Sequence, residues 1–463
     1  MIILGTNSIK DTGFKIANSV RFNDGSSSYL QKSASGGNRK KFTFSTWLKR
    51  CALLGGSSGY NTFFSSDQAS NNSFRVTFND DSGTDDNKLM VYYYTGSHQL
   101  KFITNRDFRD VTAWMHIVIA VDTTQGTEGN RFKMYINGVQ ETSFSTASYP
   151  SHNLDTSVNQ SGAPTRVGAG TSLYFDGYMA ETVLIDGTQY AASDFGEFDE
   201  DSPTIWKPKD VSDLTFGTNG FHLNYETAAE LGTDANGGTA LSETNLTALN
   251  QSTDTCTNNF TIWNGLTPRR SDITLTEGNL NVTMGGTSRG IFATIGVSAG
   301  KWYYEAKWVS GNYFQTGVVA TDIMNNNDDV YGGKTGAFMY KQDGNIRSGG
   351  NTLASAGSLS TGNIVGVALD MDNNFVYFSK NGTFQNSGDP TSGGSGTGGH
   401  DISAYSEYTF GCAPTEAVLA GNFGSPAFSI SSGNSDGSGF GNFEYAVPSG
   451  YFALCSKNLA ENG

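Results

Sequence analysis

The sequence predicts an all-β protein built as two antiparallel β-sandwiches joined by an irregular connector. Three observations carry that expectation. The chain of 463 residues holds 58 Gly beside abundant Asn, Ser and Thr, and no stretch repeats its apolar residues at helical spacing, so short strands and tight turns are favoured. Apolar and polar residues alternate along stretches in both halves, the period of a half-buried strand. Two of those stretches run into Asn-Gly pairs, Asn137-Gly138 and Asn381-Gly382, a strong hairpin signal. The length allows about two to four domains of roughly 100 to 200 residues each.

In the N-terminal part, Phe42, Phe44, Thr46 and Leu48 alternate with Thr43, Ser45, Trp47 and Lys49. A second strand sets Ile117, Ile119 and Val121 against His116, Val118 and Ala120, and a third carries Phe132, Met134 and Ile136. Tyr174 to Gly187 supplies a further strand pair with Gly177 at its bend. Together SVRFNDGSSSYL from Ser19, FTFSTWLKR from Phe42, WMHIVIAVDTTQ from Trp114, MYINGVQ from Met134 and FDGYMAETVLIDG from Phe175 resemble a laminin-G-like domain of the concanavalin A class, over about residues 15 to 200. The resemblance implies a jelly-roll sandwich and, because such domains take varied ligands, constrains function only weakly. Some members of that family hold calcium at a loop rim through an Asp and backbone oxygens. No residue here is assigned to that role, so no cofactor is expected and calcium is left open.

From Trp206 to Arg270 the composition shifts to Gly, Thr, Asn and Asp with scattered aromatic residues, which reads as an irregular connector packed on its neighbours. The string FGTNGFHLNYETAAELGTDANGG from Phe216 resembles the connector that follows laminin-G-like domains in virion proteins of tailed phages.

The last third alternates again: Tyr304, Ala306 and Trp308 fall on one face of a strand, Glu305 and Lys307 on the other. GKWYYEAKW from Gly300, VGVALDMDNNFVYFSKNG from Val365 and VPSGYFALCSKNL from Val447 resemble, in that order, the SPRY family, whose members are recognition modules without catalytic machinery. The expected domains are thus 1–205, a laminin-G-like sandwich, 206–270, the connector, and 271–463, a SPRY-like sandwich. The whole succession resembles fibre and capsid-appendage proteins of tailed, especially marine, phages.

A net charge of −15 opposes binding to a polyanion, which needs clustered Lys and Arg, so nucleic acid is not an expected partner. Cys51, Cys256, Cys412 and Cys455 lie far apart without metal spacing and read as buried free thiols. Met1 to Leu4 is too short for a signal segment, and no run reaches membrane-spanning length. The expectation is a chain made in a host cytoplasm and assembled into a virion, with no membrane insertion.

Catalysis has one candidate, the string Glu197-Phe198-Asp199-Glu200-Asp201. A strand would place Glu197, Asp199 and Asp201 on one face, as a glycosidase pair requires, but Pro203 and the polar context favour a solvated turn. Tyr92-Tyr93-Tyr94 invites sugar stacking, yet also fits a strand with aromatic residues on both faces, and a core and cross-strand role is favoured. For ligand binding, Asn325, Asn326, Asp328, Asp329 and Tyr331 combine amides, carboxylates and a ring in a chemistry suited to hydroxyl-rich ligands. The expected function is a non-enzymatic phage surface protein that binds host-surface glycan or neighbouring virion proteins, as a homo-oligomer, most simply a trimer. A polysaccharide-degrading sandwich and a cellular adhesin or adaptor are the alternatives.

Overall fold

Along Lys41–Arg50 the alternation becomes two buried faces. Phe42, Phe44 and Leu48 enter one apolar core, while Trp47 packs on the opposite side with Ile16 and Ala180. A computed structural model describes residues 13–53, 59–79, 84–266, 273–286, 290–324 and 333–463. It divides the chain into two units, one ending at Thr257 and the other beginning at Asn258. Each is an antiparallel β-sandwich of the concanavalin A-like jelly-roll class.

In the first unit, one sheet runs Val139–Glu141, Phe132–Ile136, Met115–Asp122, Lys41–Arg50, Gly177–Asp186, Ser19–Phe22, Gln251–Ser252, with Phe221–Leu223 also paired to Gly177–Asp186. The facing sheet runs Phe144–Ser148, His98–Asp107, Lys88–Tyr94, Asn72–Asn79, Tyr60–Ala69, Pro164–Val167, Tyr29–Ser33, Ser242–Thr244. Rings interlock between the sheets: Phe44 stacks on Phe64 at 4.1 Å and Phe102 on Phe132 at 4.0 Å. Such aromatic pairs add about 0.5 to 1.5 kcal/mol beyond the area they bury. At Asn137-Gly138 both φ values are positive, 48° and 79°, the backbone that a two-residue hairpin turn requires.

The expected connector, 206–270, is divided between the units. Phe221–Leu223, Ser242–Thr244 and Gln251–Ser252 extend the sheets of the first unit, and Val211 and Phe216 cover the outer face of its first sheet at Val118, Val183 and Ile185. The Lys49 ammonium, wholly buried, pairs with the Asp254 carboxylate, which also accepts from the Trp114 indole at 3.0 Å. Trp263, by contrast, is buried in the second unit. The division falls at 257 and 258 rather than at 205 and 271 because the apolar residues of this segment, which join the first unit's core and its outer layer, are scattered among Gly, Asn and Thr and leave no period to read.

In the second unit, a nine-stranded sheet centres on Lys301–Tyr313, between Thr415–Asn422 and Ile364–Asp370, and a six-stranded sheet centres on Gln315–Ala320, between Tyr408–Cys412 and Ala337–Lys341. Tyr304 stacks on Phe423 at 5.0 Å and contacts Phe410 at 4.6 Å and Trp263 at 5.9 Å. Glu305, expected on the polar face, is fully buried. The stretch around Asn442 to Tyr445 lies over it, and its carboxylate accepts from the backbone N–H groups of Glu444 and Tyr445 at 2.9 and 2.8 Å. Only one α-helix is described, Ser456–Asn462, and among the described residues no helix is long and apolar enough to cross a membrane.

Candidate functional site

The run Tyr92-Tyr93-Tyr94 lies in the strand Lys88–Tyr94 and sends its rings to opposite faces. Tyr93 joins the core, its hydroxyl donating to Asn72 Oδ1 at 2.9 Å. Tyr92 and Tyr94 turn outward, onto Met90, Ile103 and Tyr60. The register sets Lys101 beside Tyr92 and Tyr92 beside Arg75 on adjacent strands, so the three side chains stand in a row across the sheet at neighbour spacing, about 5 Å. Tyr94 is paired with His98 across the Thr95 to Ser97 turn. The result is a surface concavity of about 210 Å³, lined by Tyr60, Ser70, Ser73, Arg75, Met90, Tyr92, Tyr94, His98 and Lys101.

Its geometry is fixed from beneath. The His98 ring stands edge-on to Tyr92 at 5.6 Å and to Tyr94 at 5.2 Å. Arg75 donates through Nη1 to the Tyr92 hydroxyl at 3.1 Å, and its Nε and Nη2 grip the Asp67 carboxylate at 3.0 to 3.2 Å. Asp67 also accepts from the Thr171 N–H and hydroxyl, each at 3.0 Å. That contact ties down the hairpin of Ala169–Gly170 and Leu173–Tyr174 and brings Gly170 against Arg75. Burial raises the Tyr92 phenol, opposed by Arg75, and burial together with Lys101 lowers the His98 imidazole. Aromatic rings, two hydroxyl side chains and the cationic Arg75 and Lys101 therefore line the concavity together, a composition that suits the mixed apolar and hydroxyl surface of a sugar.

Other groupings do different work. Ser45 Oγ lies 2.8 Å from His116 Nε2, the spacing of a nucleophile and its base. The Trp206 indole, however, donates to His116 Nδ1 at 3.0 Å. The ring proton therefore sits on Nε2 and is donated to Ser45, the reverse of what a general base needs. His116 lies between Trp47 and Trp206, and burial lowers it to about 3.

In the acidic string, Glu197 lies in the short strand Gly196–Phe198, and Asp199 accepts from the N–H groups of Asp201 and Ser202 at 3.0 Å, closing a turn. Glu197 and Asp199 both face the Lys207 ammonium at 3.5 Å. The second unit carries a polar hollow of about 520 Å³ around Lys301, Asp372, Ser449 and Phe452, in which one ring is offered. Lys301 there is already paired with Asp370 at 2.8 Å.

The residues expected to bind ligand, Asn325, Asn326, Asp328, Asp329 and Tyr331, lie outside the described residues. Among the described residues no group of His, Cys, Asp and Glu is placed to hold a metal ion. Cys51, Cys412 and Cys455 are buried and Cys256 half-buried, all as free thiols. Arg75, His98 and Lys101 carry no motif of their own in the sequence. The legible signal was Tyr92, Tyr94 and His98 flanking a Thr-Gly-Ser turn, which brings three rings to one face of a hairpin.

Residues 24–191 match the concanavalin A-like lectin/glucanases superfamily through its Laminin_G_3 family, and residues 301–392 match the SPRY domain. No curated protein matches the chain. Among solved structures, the SPRY domain of human HERC1 is similar at 15% identity, covering 34% of this chain and 96% of that one, with a TM-score of 0.27. A putative carbohydrate binding protein from Bacteroides ovatus is similar at 16% identity and a TM-score of 0.33; the match covers 50% of this chain and 61% of that protein. Domain 4 of the arabinanase AbnA from Geobacillus stearothermophilus, in complex with arabinotriose, is similar at 16% identity, 35% and 68% coverage and a TM-score of 0.25. The chain carries a concanavalin A-like, laminin-G-type domain followed by a SPRY domain.

Proposed function

We propose that the protein is a non-enzymatic glycan-binding protein of a tailed-phage surface, and that its first sandwich takes host sugar at the concavity of Tyr92, Tyr94 and His98. The observation that carries the glycan reading is that outward aromatic cluster, held in place by the Arg75 and Asp67 pair on a rigid sheet. The match of residues 24–191 to the concanavalin A-like lectin/glucanases superfamily supports a sugar ligand. A hydrolase would need two carboxylates about 5 to 9.5 Å apart across the sugar, and among the described residues none lines the concavity. The phage context rests on the succession of the two domains and on the resemblance of the segment from Phe216. One concavity of this size binds weakly. Several copies in a trimer would raise avidity by about 10² to 10⁴ and leave other surfaces for neighbouring virion proteins.

The experiment is retention of the full chain on immobilised host polysaccharide. Tyr94→Ala is expected to weaken retention by about tenfold or more, the effect of losing one aromatic anchor. Retention unchanged by Tyr92→Ala and Tyr94→Ala, or reducing sugar released by the wild type and not by a Glu197, Asp199 and Asp201 triple Asn variant, would contradict the proposal. Light scattering reads the oligomer, with a trimer expected.

A further inference from the structure

We propose that the sugar bound in the first sandwich is anionic, and that Lys101 receives its carboxylate or sulfate. This rests on the glycan reading of the same concavity. The chain has 44 Asp and Glu against 29 Lys and Arg, yet among the described residues the lining holds Arg75, His98 and Lys101 and no acid. In so acidic a protein, that local reversal marks a place where negative charge is to be received.

The three basic side chains are not equivalent. Arg75 is paired with Asp67, whose side chain is 2% exposed and also accepts from Thr171 and faces the Arg166 guanidinium at 3.8 Å. His98 is depressed by burial and by Lys101, so it presents a neutral ring at neutral pH. Lys101 is half-buried in the middle of a strand, in register with Tyr92, and among the described residues no carboxylate pairs with it. Lys101 is therefore the cationic side chain of the concavity that has no carboxylate partner among the described residues. An anionic ligand would gain a charge-assisted hydrogen bond there. The volume, about 210 Å³, is below the roughly 300 to 1,000 Å³ of drug-sized pockets. It accommodates one sugar unit, with a ring face against Tyr92 or Tyr94 and its acidic group toward Lys101.

The test is titration calorimetry of the full chain with matched trisaccharides: galacturonate against galactose, glucuronate against glucose, mannuronate against mannose, and 6-sulfated galactose as the sulfate arm. The acidic member of at least one pair is expected to bind about tenfold tighter than its neutral partner, the size of one charge-assisted contact. Lys101→Gln should abolish that difference, and Tyr94→Ala should weaken the acidic sugar as well. Thermal unfolding confirms that each variant is folded. The uronate and sulfate arms separate the two sources of charge. Equal affinity within every pair, or an acidic preference that survives Lys101→Gln, overturns the anionic assignment and leaves the glycan site standing. Absence of binding to every probe, or binding indifferent to Tyr94→Ala, overturns the site itself and the inference with it.

Discussion

Arg75 donates to the Tyr92 hydroxyl at 3.1 Å while the rest of its guanidinium is held by Asp67. The central phenol of the concavity is therefore positioned by an ion pair rather than by packing alone. Asp67→Asn should leave Arg75 and Arg166 without their shared counter-charge in a mostly buried place. The expected loss is about 3 kcal/mol of stability, read from urea unfolding, with weakened retention on glycan. Arg75→Lys should preserve the charge but lose the two-pronged grip, and fall between the two.

Glu305 makes the second unit sensitive to pH. Burial pushes its carboxyl up to about 7, against the donors of Glu444, Tyr445, Tyr303 and Asn422 that favour the ionised form. An unfolded Glu titrates near about 4.3, so folding takes up a proton between the two values. The stabilisation is complete below about pH 4, declines as pH rises and is gone above about pH 7, a change on the order of 3 kcal/mol. Urea unfolding from pH 5 to 8 should reveal this slope, and Glu305→Gln should flatten it.

In the first unit His116 works in the opposite direction. Its folded value, lowered by burial to about 3, is below that of an unfolded His, about 6.5. Stability that is complete above about pH 6.5 should therefore be lost on acidification. Nitrogen chemical shifts of His116 between pH 4 and 8 should report one neutral tautomer, protonated on Nε2. A proton found on Nδ1 would reverse the hydrogen-bond assignment and reopen Ser45 as a nucleophile.

Removing Asp254 should be more disruptive than its distance in sequence from Lys49 suggests. Asp254→Ala strands a buried ammonium, at a cost of about 3 to 5 kcal/mol. Amide exchange should quicken along Lys41–Arg50 and Gly177–Asp186, which carry Lys49 and the Tyr178 ring lying 4.9 Å from its ammonium.

The sandwich class was legible because period and turn agree. Phe42 and Phe44 alternate with Thr43 and Ser45, and Asn137-Gly138 closes the hairpin where alternation stops. Faces that carry a third layer were not legible. Glu305 and Trp47 alternate correctly, yet they are buried by segments remote in sequence, Asn442 to Tyr445 and Phe14 to Ile16. The concavity was only half legible: Tyr92 and Tyr94 invited sugar stacking but fitted a core and cross-strand role better, and Arg75 and Lys101 join them only through strand register, which a single sequence does not specify.

The buried pair of Lys49 and Asp254 also constrains how such a protein can be recombined. A gene that exchanges its first domain at the edge of the matched family, residue 191, would leave the Lys49 ammonium in an apolar interior and uncover the Val118 and Val183 face. A crossover after Thr257 transfers lysine, aspartate and covering layer together. Chimeras joined at that position should express as folded hybrids where those joined at 191 aggregate, so the unit of inheritance is longer than the unit of sequence similarity.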